Sequence, residues 1–428
     1  MTFFGLIRRM REYLCHPGMR NSVSVALAKG SMMAARTGVL LWVAHSAGPI
    51  AFGKFALCVS TTELLRIASD FGTQTLFVRR FARAIEPGSE RQELIALVRF
   101  RGVATVIGLV LYFALVSMIF DGRIGSLEIL SSGLLVTALA SSLPLTFYQA
   151  KLETHKAVAP VIGSALAYLA FCVVFRHSSI FVLIVGLLGY EALTALVLSF
   201  MVMSEAEVPL RAFILDKGAL SLKDTARASL PIMSGSLIST VYTRVDVYAV
   251  KAISGVVALG LYSYAFRLTE PFRYLGLSIE SSIYSHLSAK LSTGAVRSPN
   301  LKLVEKLVFA YSALFAVLAY GTGRVITALL YPEYTATAVT IFILSTALFF
   351  RCVNGYQTAL QNALGRFNLT ARFSLIGLVV TGLFIFPLTK YFGFSGAALT
   401  LLIMELVNFG VQRHFYKLVA GPIKKGLA

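Results

Sequence analysis

Long apolar stretches recur along the whole chain, and they predict its fold. Twelve are long enough for a helix to cross about 30 Å of hydrocarbon. They cover residues 23–46, 51–75, 99–119, 127–149, 157–175, 180–203, 229–252, 257–285, 303–323, 336–360, 368–389 and 394–416. The connections between them are too short for a soluble domain. The pattern therefore predicts an all-α, polytopic membrane protein.

The predicted spans divide the chain into two halves of six helices each. We expect a cytoplasmic or interfacial N-terminal segment, a six-helix lobe, a cytoplasmic linker, a second six-helix lobe and a cytoplasmic tail. Their bounds are residues 1–22, 23–203, 204–228, 229–416 and 417–428, respectively.

A weak internal repeat relates the two halves. When the chain is shifted by 207 residues, Gly48 lies over Gly255, and further positions match: Gly53 with Gly260, Thr62-Glu63 with Thr269-Glu270, and Arg66 with Arg273. The shift corresponds to six spans, an even number, so both halves share one orientation. The repeat predicts two six-helix bundles related by a parallel pseudo-two-fold axis along the membrane normal.

Charge adds the orientation of the chain. The net charge is +19 although only 14% of the residues are charged. Of the basic residues in the predicted loops and tails, 26 fall on one side, Arg101 among them, and 5 on the other. This asymmetry predicts that both termini are cytoplasmic. It also accounts for the positive charge without a nucleic-acid partner. The cysteines and histidines have no metal-ligand spacing, so we expect no metal or other cofactor.

Apart from the charged residues near the ends of the spans, which are counted with the loops, fifteen ionisable side chains fall within the predicted spans. Each costs roughly 2.5–3.5 kcal/mol when it faces lipid at a helix centre, so they must face one another, backbone groups or water. The basic ones are Lys29, Arg36, Arg66, Arg244, Lys251, Arg267, Arg273 and Arg351, and the acidic ones are Glu63, Asp70, Glu191, Asp246, Glu270, Glu280 and Glu405.

Several of these residues share a helix face. At about 100° per residue, Arg267, Glu270, Arg273 and Glu280 fall within an arc of about 140°. Two interpretations follow. Glu270 and Arg273, like the pair Glu63–Arg66, could be ion pairs three residues apart inside a packed bundle. Alternatively, these faces could line a central polar cavity.

Several motifs resemble a known family. "AGPIAFGKFAL" (47–57) and "SDFGTQTLFVRRFARA" (69–84) are similar to the start of bacterial lipid-linked polysaccharide flippases. These are the O-antigen and exopolysaccharide translocases of the multidrug/oligosaccharidyl-lipid/polysaccharide (MOP) exporter superfamily. "VDVYAVKAISGVVALGLYSYAFRL" (245–268), "LQNALGRFNLTARFSLIG" (360–377) and "YFGFSGAALTLLIMELV" (391–407) resemble their later motifs.

The resemblance implies a secondary transporter or flippase rather than an enzyme. Its substrate would be an undecaprenyl-diphosphate-linked oligosaccharide repeat unit. The protein would move it from the inner to the outer leaflet of the bacterial cytoplasmic (inner) membrane by ion-coupled alternating access, for surface polysaccharide (O-antigen or exopolysaccharide) biosynthesis. The alternatives are a multidrug exporter of the same superfamily and a membrane glycan polymerase or ligase, although the predicted outer loops are short for such an enzyme.

Site residues and partners follow from the same interpretation. The residues expected to bind substrate are Lys29, Arg36, Arg66, Arg267 and Arg273. The acids expected to take up a coupling proton or sodium ion are Glu63, Glu270, Asp246 and Glu191. The expected partners are the lipid-linked oligosaccharide, membrane lipid, and the polysaccharide polymerase and export proteins.

Overall fold

The computed structural model describes residues 17–81, 89–120, 122, 124–151, 153–175, 178, 180–206, 222–292, 301–363 and 366–425. Within these ranges the chain forms helices joined by short turns and contains no strand. Residues 1–16 and 426–428, and most of the predicted linker, lie outside the described ranges.

Eleven α-helices and one 3-10 helix make up the described chain. They are α1 (Pro17–Asp70), α2 (Thr73–Phe81), α3 (Ser89–Ile119), α4 (Ser126–Ala150), α5 (His155–Val174), α6 (Ile180–Glu205), α7 (Leu222–Ser292), α8 (Leu301–Leu330), the 3-10 helix Pro332–Thr337, α9 (Ala338–Ala363), α10 (Phe367–Phe392) and α11 (Phe394–Lys425). Nine stretches of the described helices are long and apolar enough to cross a membrane, and one of them, Ser236–Glu280, is 45 residues long.

The two longest helices each break at one glycine. Gly48 in α1 has φ 69° and ψ 173°, and Gly255 in α7 has φ 85° and ψ 178°. Only glycine adopts this backbone conformation readily. Each of these helices therefore comprises two segments that meet at the glycine, and together with α3–α6 and α8–α11 the described residues form twelve long helical segments. The prediction of an all-α, multi-pass membrane protein is confirmed. The two breaks also lie at repeat-equivalent positions, 207 residues apart.

The chain divides into two compact units. The first comprises Met1–Val39 and Cys58–Thr240, and the second comprises Leu40–Leu57 and Val241–Ala428. The segment Leu40–Leu57 thus belongs with the C-terminal helices, whereas the sequence analysis assigns it to the N-terminal lobe.

Close backbone packing explains this grouping. A Cβ atom at Gly53 would overlap the carbonyl oxygen of Val256, and one at Gly260 would overlap that of Pro49. Two tyrosines, one just before the 3-10 helix and one within it, add hydrogen bonds. The Tyr331 hydroxyl donates to the carbonyl oxygen of Leu41 at 3.1 Å and the Tyr334 hydroxyl to that of Ala44 at 3.0 Å. Gly53 and Gly260, which are equivalent positions of the repeat, thus allow a close helix contact.

In the first unit, α4 packs against α6 and α3, and α6 packs against α5. Two apolar clusters of described residues contribute to its core. One includes Phe77, Leu94, Tyr148, Val161 and Leu198, and the other includes Leu65, Tyr112, Val116, Leu135 and Leu139. In the second unit α9 is central, because it packs against α8, α10 and α11. Its buried Val353 and Tyr356 face apolar side chains of α8.

Candidate functional site

A cavity of about 160 Å³ lies within the second unit, between α7, α9 and α11. Apolar side chains from all three helices form part of its wall. The polar part comes from α7 and α9 and consists of Thr243, Arg244, Thr269, Glu270, Arg273, Tyr274 and Arg351. The sequence analysis left open whether the charged face of the eighth span forms ion pairs or lines a central cavity; in the structure Glu270 and Arg273 of this face line the cavity within the second unit.

Helix periodicity brings these side chains to one place. On α7, Thr269, Arg273 and Leu277 are four residues apart, so they lie on one face. On α9, Leu344, Ala347, Leu348 and Arg351 are spaced at i, i+3, i+4 and i+7 and likewise share one face. The cavity is therefore lined by one polar helix face and one mainly apolar face that ends in an arginine.

Glu270 is held by two arginines. Its Oε2 lies 2.6 Å from Nη1 of Arg267, and its Oε1 lies 3.9 Å from Nη2 of Arg244. The Arg244 guanidinium also lies over the Phe266 ring, 5.4 Å from the centroid. Glu270 thus pairs with Arg267, three residues before it, rather than with Arg273, three residues after it.

Arg273 pairs with Glu280 instead. Its Nη1 lies 2.8 Å from Oε1 of Glu280, seven residues further along α7. The Glu280 carboxylate fits against Gly355 of α9, where a Cβ atom would overlap it. The missing side chain at Gly355 therefore provides the space in which Glu280 reaches Arg273.

Arg351 of α9 forms an ion pair with an acid of α11. Its Nε lies 3.5 Å from Oε1 of Glu405 on α11. The Asn354 side-chain amide donates to Oε2 of the same carboxylate at 2.8 Å and to the Glu405 backbone oxygen at 3.0 Å. Glu405, an isolated acid in an apolar stretch of the sequence, thus holds an arginine at the cavity.

The arginines form the charged surface of the cavity, and most of the acids lie behind them. The side chains of Arg244, Arg273 and Arg351 are 16%, 20% and 26% exposed, against 8%, 9% and 7% for Glu270, Glu280 and Glu405. The four arginines and three glutamates described above nearly balance in charge, yet among the described residues three guanidinium groups and one carboxylate line the cavity. Buried carboxylates lower the cost of placing these arginines in a membrane protein while leaving donors available for an anion.

Not all predicted site residues lie at this cavity. Asp246 accepts hydrogen bonds from its neighbour Val247 N, at 2.7 Å, and from the Tyr262 hydroxyl, and it does not line the cavity. Glu191 in the first unit accepts a 2.7 Å hydrogen bond from Thr137.

The remaining predicted residues lie in α1. Glu63 is buried and Arg66 is half-buried, both in the first unit. Lys29 and Arg36 belong to the same helix, but their side chains lie outside the described part of the structure.

Sequence reasoning missed three arginines. The sequence analysis places Arg244 and Arg351 among the intramembrane charges but not at the site; the available signal was the isolation of Arg351 in an apolar stretch and, for Arg244, its position two residues from Asp246. Arg101 was counted with the cytoplasmic loops, but it lies in α3 and is 3% exposed. It pairs with Asp70 and donates 3.1 Å hydrogen bonds to Thr73 and Ser142. Arg101 thus fixes the turn after α1.

In the described ranges, no cluster of His, Cys, Asp or Glu side chains could hold a metal ion.

The fold is that of MOP superfamily transporters. A multidrug resistance MATE family transporter of this superfamily, solved in an outward-facing conformation, matches with a TM-score of 0.67 and 14% identity, over 97% of this chain and 98% of that chain. A MOP superfamily transporter from Pyrococcus furiosus matches with a TM-score of 0.63 and 13% identity, over 95% and 96% of the two chains. Identities this low establish the fold alone.

The sequence itself establishes the family. The model of the polysaccharide biosynthesis protein family matches residues 19–284, more than half of the chain, and this chain belongs to that family. A protein of Escherichia coli K12 named "Putative O-antigen transporter" is 23% identical in an alignment of 415 residues that covers 93% of this chain and 96% of that protein. The predicted resemblance to polysaccharide translocases of the MOP superfamily is confirmed.

Proposed function

We propose that this protein moves undecaprenyl-diphosphate-linked oligosaccharide repeat units from the inner to the outer leaflet of the cytoplasmic membrane, for O-antigen or exopolysaccharide biosynthesis. The observation that carries the proposal is the cavity of the second unit, where the guanidinium groups of Arg244, Arg273 and Arg351 face a common space. Membership of the polysaccharide biosynthesis family and the name of the Escherichia coli relative support the class of substrate.

The chemistry of the cavity suits a diphosphate. Arginine stays charged at every physiological pH, and its planar group offers paired donors to phosphate oxygens. The apolar wall from Leu344 to Leu348 fits a substrate whose other end is a hydrocarbon chain. An organic cation, the substrate expected of a multidrug exporter, would instead need carboxylates at the surface. Here Glu280 and Glu405 do not line the cavity. Glu270 does, but its carboxylate pairs with Arg267 and Arg244.

Ion coupling and the surroundings of the protein are part of the same proposal. A proton or sodium gradient would drive alternating access, with Glu63, Glu270, Asp246 and Glu191 as the candidate acids and no other cofactor. Both termini would be cytoplasmic. The polysaccharide polymerase and export proteins would act on the substrate after it reaches the outer leaflet.

Reconstituted vesicles test the proposal directly. Purified full-length protein is placed in liposomes with fluorescent undecaprenyl-diphosphate-linked oligosaccharide, and the fraction that becomes accessible on the opposite leaflet is measured over time. We expect the double variant R273A/R351A to translocate at least tenfold more slowly than the wild type. The control is R413A, because Arg413 pairs with Glu305 away from the cavity.

Each competing function gives a different result. A multidrug exporter would leave the labelled lipid in its original leaflet and would transport organic cations in both the wild type and R273A/R351A. A polymerase or ligase would change the covalent structure of the lipid-linked sugar, which mass spectrometry of the recovered lipid would detect. Equal translocation by R273A/R351A and the wild type would contradict the role of the cavity.

A further inference from the structure

A stripe of amide side chains continues along α9 beyond the arginine cavity. At about 100° per residue, Arg351, Asn354, Gln357 and Gln361 fall within an arc of about 120°. The stripe extends about 15 Å along the helix, since ten residues each rise about 1.5 Å. It therefore begins at the cavity and follows one face of α9.

The opposing helix repeats the pattern. On α11, Glu405, Asn408 and Gln412 fall within an arc of about 60°. The two faces meet, because Asn354 donates to Glu405 at 2.8 Å and the Thr358 hydroxyl donates to Gln412 at 3.4 Å. An interface between two membrane helices is therefore lined by amides where apolar side chains would pack more easily.

Much of the hydrogen-bonding capacity of this stripe is unused. Gln357 and Gln361 are each 2% exposed. Oε1 of Gln357 and both polar side-chain atoms of Gln361 are buried and have no hydrogen-bond partner among the described residues. The same holds for the Oδ1 atoms of Asn354 and Asn408. Buried amide atoms without hydrogen-bond partners lower the stability of a fold. Because several of them lie on one stripe, we infer that a ligand supplies their partners.

We propose that the amide stripe of Asn354, Gln357 and Gln361 on α9, with Asn408 and Gln412 on α11, binds the sugar hydroxyls of the translocated glycan. This inference rests on the proposed function and adds a second subsite to it. An amide offers two donors and an accepting oxygen, which match a hydroxyl that both donates and accepts. The cavity extends along α9 when the glycan enters, and the unpaired amides then gain partners.

The order of groups in the substrate agrees with the order along the helix. In a polyprenyl-diphosphate glycan the first sugar is bonded directly to the diphosphate. A site for sugars must therefore adjoin the site for the diphosphate, and Asn354 is one helical turn from Arg351. The hydrocarbon chain would not bind here, because contact with it would leave the buried amide atoms of Gln357 and Gln361 without a partner.

Two probes separate the subsites. Binding to purified full-length protein is measured with radiolabelled undecaprenyl diphosphate that carries the complete oligosaccharide repeat of the source cells, and with undecaprenyl diphosphate alone. We expect Gln357→Leu and Gln361→Leu each to weaken binding of the glycosylated probe by roughly tenfold. Binding of the sugar-free probe should change less than twofold. The thermal unfolding temperature should stay the same or rise, because no hydrogen bond of the unliganded protein is lost.

Gln149→Leu is the matched control. The Gln149 side chain already accepts a 3.3 Å hydrogen bond from Gln74 in the first unit, so its replacement should leave the affinity for both probes unchanged. Gln361→Met serves as a second variant if Gln361→Leu does not fold.

The outcomes distinguish this inference from the proposed function. Equal weakening of both probes, or of neither, would overturn the sugar subsite. Failure of both Gln361 variants to fold would also overturn it, because an amide without partners is not required for folding. Failure of the wild type to bind either probe would instead contradict the proposed function.

Discussion

The carboxylate of Glu280 occupies the space beside Gly355 that any larger residue would need for its side chain. From this position its Oε1 lies 2.8 Å from Nη1 of Arg273, which lines the cavity. A helix–helix contact and the charge of the candidate site thus depend on the same missing side chain.

Replacement of Gly355 by alanine should therefore impair the site from a distance. The new methyl group would displace the Glu280 carboxylate and leave Arg273 without its partner. We expect the protein to lose about 1–3 kcal/mol of stability and translocation to fall at least tenfold. Thermal unfolding of the detergent-purified protein and the vesicle assay measure these effects. Gly382→Ala is the control, because a Cβ atom there would meet open space. Equal effects of the two substitutions would show that Glu280 does not need this space.

The paired glycines of the internal repeat give a second prediction. Gly53→Ala and Gly260→Ala each place a methyl group against a backbone carbonyl, which cannot rotate away. We expect each to destabilise the second unit by about 1–3 kcal/mol, seen as a lower unfolding temperature. Gly38→Ala provides the comparison, since a Cβ atom there has no neighbour within 4 Å. Stability equal to that of Gly38→Ala would contradict the close contact.

Arg101 provides a prediction for the first unit. Its guanidinium donates to Asp70, Thr73 and Ser142, and a lysine ammonium cannot reproduce this planar arrangement. Arg101→Lys should cost about 2–4 kcal/mol, because it disturbs a buried ion pair. Arg80→Lys should cost less than about 1 kcal/mol, because Nη1 of Arg80 lies 3.6 Å from Oε2 of Glu93 and its side chain is 27% exposed. Denaturation of both variants in the same detergent tests this difference, and similar losses would contradict it.

The fold could be predicted because it depends on properties that are local in the sequence. Apolar runs of sufficient length give the spans, and the spacing of Gly48 and Gly255 gives the repeat, whose two glycines adopt the same backbone conformation. The charged face of α7 was also readable from helix periodicity. These features need no knowledge of which helices are neighbours.

The partners of each charge could not be predicted for the opposite reason. Periodicity allowed Glu270 to pair with Arg267 or Arg273, and the choice depends on the space that Gly355 leaves for Glu280. Arg351 joins the site only because α9 packs between α7 and α11. Helix packing decides such contacts, and a single sequence does not specify it.

Glu270→Gln should separate substrate binding from translocation. Its carboxylate neutralises Arg267 at 2.6 Å and lies 3.9 Å from Arg244, so removal of its charge makes the cavity more positive. We expect the affinity for undecaprenyl diphosphate to stay the same or rise, whereas export is lost, because the product is released less easily and a candidate coupling acid is gone. Arg273→Ala should instead weaken both binding and export.

Both variants should reach wild-type levels in the membrane. Glu305→Gln is the control, as Glu305 pairs with Arg413 outside the cavity. Normal export by Glu270→Gln would refute the role of this carboxylate, and normal export by both variants would refute the assignment of the cavity.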